Sequence, residues 1–81
     1  MTTFKRNFSF NDNILAIISN NVRKYRKLAG ITQEQLAVDI SISPDYLRRF
    51  ETQNGKEGLT INNLYKISVV LNVSIDKFFE E

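Results

Sequence analysis

The stretch Thr32 to Glu51, TQEQLAVDISISPDYLRRFE, constrains the fold of this chain more than any other. Thr32 and Gln35 have the spacing of a capping box, in which the Thr hydroxyl and the Gln side chain each satisfy a free backbone amide at a helix start. Leu36, Ala37 and Ile40 then recur on one helical face, and the small Ala37 lets another helix cross closely; the helix ends near Asp39 or Ile40. Ser41, Ile42 and Ser43 form a turn with Ile42 pointing inward as a plug. Ser43, Pro44 and Asp45 open the next helix with an N-cap, a preset φ at the first helical position and an acid favoured by the helix dipole. The spacing therefore predicts two short helices joined by a tight turn.

The second of these helices can be resolved by angle. At about 100° per residue, Phe50 falls about 60° to one side of Leu47 and Glu51 about 40° to the other. Asp45, Arg48, Arg49 and Thr52 lie on the opposite half and face out. Glu51 faces partly inward. So does Arg26 on the preceding helix, four residues beyond the apolar Val22. The two are predicted to pair across the helices, the alternative being two independent surface charges. Breaking a buried pair from one side typically costs about 3 to 5 kcal/mol.

The remaining residues supply a frame for this stretch. Residues 1 to 11 show no helical period and read as an arm, with residues 12 to 81 as one domain. Phe4, Phe8 and Phe10 are too apolar for a free tail, so packing on the domain or on a second copy is the preferred reading. Lys5 and Arg6 keep open a basic arm on DNA. Asp12 is the expected N-cap of a helix reaching about Ala29, with Ile14, Ile18, Val22, Tyr25 and Leu28 along its apolar stripe. Gly30 ends that helix in the left-handed conformation, and Ile31 turns back into the core. Asn54 and Gly55 stop the helix that begins at Pro44. Thr60 caps another carrying Ile61, Leu64, Ile67, Ser68 and Leu71. Asn72 marks its end, Val73 enters the core, and Ser74 caps a final turn bearing Ile75, Phe78 and Phe79. The expectation is an all-α, compact five-helix domain with no strands and no repeats.

Composition removes several classes of function. In 81 residues there is room for one modest core and none for a separate sensor or catalytic domain. The 42% hydrophobic and 25% charged content argues against a disordered chain. With no Cys and no His, disulfides and thiolate or imidazole metal sites are excluded. There is no glycine-rich phosphate loop and no inward cluster of carboxylates, so neither an enzyme nor a cofactor is expected. No apolar run approaches the roughly 20 residues that span a bilayer, and the N-terminus lacks a signal-peptide core; a cytoplasmic protein is expected. The net charge of +2 names no partner, but its distribution is uneven: Arg23, Lys24, Arg26 and Lys27 crowd the end of the first helix, and Glu80 and Glu81 close the chain. Such a cluster either faces a phosphate backbone or merely solvates a surface.

From about Val22 to Phe79 the chain resembles the Cro and phage-repressor helix-turn-helix family. The likeness is carried by Arg26, Gly30, the segment Thr32-Gln33-Glu34-Gln35-Leu36-Ala37, then Ile42-Ser43, Tyr46-Leu47, Glu51, and Leu71-Asn72-Val73-Ser74-Ile75 with Phe78. The resemblance implies a lambda-repressor-like DNA-binding fold in which the second and third helices are the helix-turn-helix. It implies an internal ion pair at Arg26 and Glu51. It also implies that Gln33 hydrogen-bonds a phosphate, with Thr32, Tyr46, Asn54 and Lys56 as further backbone contacts. Ser43, Pro44, Asp45 and Arg49 match positions facing bases in the major groove, with Arg48 beside them.

This chain departs from the family's pattern twice. Ser41 stands where the turn often has glycine, which predicts a strained turn. Pro44 stands where many relatives have glutamine, whose amide can grip adenine, so discrimination is expected to shift to Arg49 or Arg48 reading guanine. Asp45 accepts from a cytosine amine, braces Arg49, or simply favours the helix N-terminus. The resemblance implies a transcriptional regulator bound as a homodimer to a two-fold symmetric double-stranded operator, similar to a restriction-modification controller or a Cro-like repressor. No small-molecule effector is evident. The alternative is an antitoxin-like protein-interaction module using the Phe-rich ends.

Overall fold

The structure, a computed structural model, describes residues 3–52 and 55–81. Four helices, α1 (Ile14–Leu28), α2 (Gln33–Ile40), α3 (Pro44–Thr52) and α4 (Ile61–Leu71), are followed by a 3-10 turn, Ile75–Phe79. No strand occurs among the described residues. The expected fifth α-helix is thus corrected to a 3-10 turn. Five residues follow the left-handed Asn72 and the extended Ser74, and Phe78 is fully buried within them. A segment this short gains little from α-helical bonding and winds more tightly. Ser74 does not cap it as predicted, because its hydroxyl donates to the Asp76 carboxylate instead of accepting from a backbone amide.

The start of α1 is also corrected. Asp12 is not the N-cap; Asn13 holds that place, and its amide donates to Asn11 Oδ1 at 2.8 Å. The inward face of α1 is Ile18, Ser19, Val22 and Arg26. Leu28 lies about 200° around the helix from Arg26 and is exposed, so it leaves the predicted stripe. Ile14 is only partly covered, and Ile61, in the first turn of α4, faces solvent. Gly30, at φ +70°, closes α1 as expected, with the amides of Ala29, Gly30 and Ile31 donating to the carbonyls of Tyr25, Lys27 and Arg26 at 3.0, 3.0 and 3.2 Å.

Val22, Leu36, Ala37, Leu47, Phe50, Ile67 and Phe78 form the centre of the core. Ala37 has no exposed surface, as close crossing of α2 requires. Two polar residues of α1 tie this core together. Ser19 Oγ donates to the carbonyls of Phe50 (2.8 Å) and Glu51 (3.3 Å), which lie in the last turn of α3 where helical partners run out. Asn21 Nδ2 donates to the carbonyls of Phe78 (2.8 Å) and Glu80 (2.7 Å), and Tyr25 meets the Phe78 ring edge-on at 5.9 Å. After α3 the backbone crosses the first turn of α1. Gly55 has φ +75°, and a Cβ there would lie 2.3 Å from the Leu15 carbonyl oxygen, so only glycine fits.

In the N-terminal stretch Asn11 Nδ2 donates to Glu81 Oε1 at 3.1 Å, but the phenylalanines do not pack inward. Phe4, Phe8 and Phe10 are exposed, correcting the preferred expectation as far as this chain's own surface is concerned. Their contacts are local instead: Phe8 and Phe10 lie 6.3 Å apart, and the Arg6 guanidinium sits 5.0 Å from the Phe8 ring centre.

Candidate nucleic-acid interface

At the start of α2, Thr32 is extended and its hydroxyl accepts from the Gln35 amide at 3.0 Å. The reciprocal half of the predicted capping box is absent. Gln35 Nε2 donates to Asp39 Oδ1 at 2.8 Å, the partner one turn along. As at any helix start, the first amides have no intrahelical acceptor, which makes this end of α2 suited to an anion.

Gln33, in the same turn, half-buried, has one side-chain N–H on Glu51 Oε1 at 3.0 Å. Glu51 is 0% exposed and accepts two further bonds from Arg26, from Nε to Oε2 and from Nη2 to Oε1, each 2.9 Å. Arg26 Nη1 donates to the Ile31 carbonyl at 2.8 Å. Arg26 and Glu51 therefore form a buried bidentate pair, and its remaining hydrogen-bonding capacity is used to seat α2 against α1 and α3. An ion pair this deep needs such saturation, because each buried charge loses its hydration. The Gln33 bond was not foreseen. Its signal in the sequence is the spacing that places both side chains near Arg26, and a surface role for Gln33 masked it. One N–H and the carbonyl oxygen of that amide stay available to a phosphate.

At the start of α3, Ser43 Oγ accepts from the amides of Asp45 (3.2 Å) and Tyr46 (3.3 Å), with Pro44 at the first helical position. Leu47, Phe50 and Glu51 bury, while Asp45 and Arg48 face solvent and Arg49 is half-buried. The Asp45 carboxylate takes Arg48 Nη2 at 2.5 Å and lies 3.6 Å from Arg49 Nε, beyond hydrogen-bond reach. The Arg48 hydrogen bond, aided by the charges of Arg48 and Arg49, holds the Asp45 carboxyl below its ordinary range. Arg49 Nε is shielded from solvent without a hydrogen-bond partner among the described residues. Asp45 is thus bonded to Arg48, and its link to Arg49 is a looser ion pair.

Gln33, Pro44, Asp45 and Arg48, with Glu34, line a groove of about 220 Å³ between the N-terminal turns of α2 and α3. Ser43 is exposed beside it, and Lys56 is exposed after α3. Glu34 was missed as a member of this groove because an acid in a first helical turn is already accounted for by the dipole. The hydroxyl of Tyr46, another residue expected at the DNA backbone, donates to the Gly58 carbonyl at 2.9 Å and holds the loop before α4. Asn54 lies outside the described residues. The basic cluster of α1 divides, since Arg26 is internal, Arg23 donates to Asn20 Oδ1 at 3.1 Å, and Lys24 Nζ sits 5.2 Å from the Tyr25 ring centre.

A short helix whose outward face carries two arginines, braced by a second helix whose N-terminus opens on the same groove, defines a helix-turn-helix domain. Residues 22–78 match the helix-turn-helix family model, and the chain belongs to this Cro/C1-type family of DNA-binding transcription regulators. Among solved structures it is similar to the N-terminal DNA-binding domain of SinR from Bacillus subtilis, at 30% identity over 82% of this chain and 94% of that one, with a TM-score of 0.71. A structure of SinR, the master regulator for biofilm formation, in complex with DNA matches at 30% identity over 78% and 98%, with a TM-score of 0.69. The restriction-modification controller protein C.AhdI from Aeromonas hydrophila shares the fold at 23% identity over 80% and 96%, with a TM-score of 0.72. No curated protein sequence is similar enough to count as a match.

Proposed function

We propose that this chain is a non-enzymatic, sequence-specific regulator of transcription that binds double-stranded DNA as a homodimer on a two-fold symmetric operator, with α3 in the major groove. Residues 1–11 act as an arm and residues 12–81 as the binding domain. The observation that carries this reading is the shared groove of Gln33, Pro44, Asp45 and Arg48, where the start of α2 and the outward arginine face of α3 lie side by side. The DNA complex of SinR, a similar fold, supports it. Ser43, Pro44, Asp45, Arg48 and Arg49 face bases; Thr32, Gln33 and Lys56 meet the backbone. Pro44 offers apolar contact only, so the arginines supply polar readout, each good bidentate guanine contact being worth roughly 1 to 3 kcal/mol. Asp45 keeps Arg48 extended over the groove and exchanges it for a base edge on binding.

Selection from random duplex DNA, followed by binding over a salt series, tests this. The expected result is a palindrome with half-sites about one helical turn apart. Arg49→Ala should relax preference at one base position, whereas Lys56→Ala should weaken all sequences alike and flatten the salt dependence. Wild-type protein binding every sequence equally refutes the proposal. A second reading, an antitoxin-like module gripping a protein partner, is favoured by the exposure of Phe4, Phe8 and Phe10. Co-purification of a stable heteromeric partner without DNA retardation would select it.

A further inference from the structure

The Asp45 carboxylate is divided between two arginines on unequal terms. Its Oδ1 takes Arg48 Nη2 at 2.5 Å, while its Oδ2 stops 3.6 Å from Arg49 Nε. Among the described residues no other carboxylate lies within ion-pair range of Arg49, and its shielded Nε has no acceptor. An N–H in that position has lost water and gained no partner in exchange. To make a hydrogen bond of about 3 Å, Oδ2 has to advance by only about 0.6 Å. The bond from Oδ1 to Arg48 holds it back.

We infer that Asp45 is the positioning residue for Arg49: when Arg48 turns to the duplex and leaves Oδ1, Oδ2 closes on Arg49 Nε and fixes that arginine as the reader of a guanine. Oδ1 is then the oxygen left for a base edge. The inference rests on the DNA reading above and assigns how its main base contact is set. The point of attachment decides between the two arginines. Arg48 is gripped at Nη2, one of the two terminal groups that an end-on guanine contact uses, so it cannot present that fork while Asp45 holds it. Arg49 is approached at Nε, and both of its terminal groups stay clear to meet O6 and N7. Its side chain is also the more confined, 40% exposed against 55% for Arg48. An arginine already confined and then held at Nε has less rotamer freedom to lose when it meets the base.

Selection from random duplex DNA with wild type, Arg49→Ala, Arg49→Lys, Asp45→Asn and the Asp45→Asn, Arg49→Ala double variant tests this. Arg49→Ala should cut the preference for guanine at one position about tenfold or more. Arg49→Lys keeps the charge but lacks Nε and the fork, so it should do the same there while the salt dependence of binding stays as in wild type. Asp45→Asn should lower the preference at that same position about threefold or more, and should add nothing there once Arg49 is replaced by alanine. In NMR of the complex with the selected duplex, the Arg49 Nε proton should exchange with water about tenfold more slowly than in the free protein, and Asp45→Asn should remove the difference. All variants should keep the helical circular dichroism of wild type. If wild type selects an operator, the DNA reading stands, and the inference alone is overturned by any of three results: a base other than guanine at the Arg49 position, an Asp45→Asn protein that leaves that position untouched, or one that still weakens it when Arg49 is absent. Wild type that selects no sequence defeats both.

Discussion

At one end of α3, Glu51 accepts three bonds from Arg26 and Gln33 at 2.9 to 3.0 Å with no exposed surface; at the other, exposed Asp45 holds Arg48 at 2.5 Å and lies 3.6 Å from Arg49. The same two side-chain chemistries serve opposite ends. Glu51 has exchanged water for fixed donors, so any loss leaves a charge stranded. Asp45 keeps its water, so its arginines can leave for another acceptor at little expense. A helix that must be both fixed and adaptable divides those properties between its two ends.

The sharpest way to break this contrast is Glu51→Ala, which strands Arg26 and frees Gln33. It should lower stability by about 3 to 5 kcal/mol in urea unfolding. A loss below about 1 kcal/mol would make the buried pair no different from the exposed one. Ser19→Ala comes next, taking the hydroxyl from the Glu51 carbonyl while the Phe50 carbonyl keeps the Gly55 amide at 2.9 Å; a loss of about 1 to 3 kcal/mol is expected in thermal unfolding. Ser41 adopts φ +62° in the turn between α2 and α3. Ser41→Gly should raise stability by about 1 kcal/mol or less, because relief of the left-handed strain is offset by the greater freedom of glycine in the unfolded chain.

The smallest effect belongs to Asp45. Asp45→Asn should move the unfolding midpoint less than Ser41→Gly does, while altering base preference in selection. Because the folded carboxyl titrates below its unfolded value, its contribution is present above the unfolded pKa and disappears as pH falls through the folded one. NMR titration of the Asp45 side-chain carbon should show a midpoint below that of a free carboxyl, with the hydrogen bond to Arg48 lost as pH falls through it. A midpoint near that of a free carboxyl would show that the arginines do not hold it.

Most of the frame was legible because local chemistry and burial agreed. Thr32, Ser43 and Thr60 cap the helices predicted from them, and Leu36, Ala37, Leu47 and Phe50 bury as their angles require. The inward tilt of Arg26 and Glu51 could be read the same way, since both sit beside apolar stripes. What escaped depends on which of several nearby acceptors wins. Gln35 chose Asp39, Tyr46 chose Gly58, and Gln33 chose Glu51, and spacing alone does not rank such partners. Ser19 and Asn21 were overlooked because polar residues on a helix read as surface, whereas here each satisfies carbonyls from elements more than thirty residues away in sequence. The start of α1 was misplaced because Asn11, Asp12 and Asn13 are all competent to begin a helix.

The close approach of Gly55 to the Leu15 carbonyl has a mechanical consequence. Leu15 lies in the first turn of α1, where the arm is rooted, and Gly55 directly precedes Lys56. With no side chain between the two backbones, the root of the arm and the loop carrying Lys56 bear on each other without a cushion. A shift in the first turn of α1 is therefore met at once by the backbone that carries Lys56.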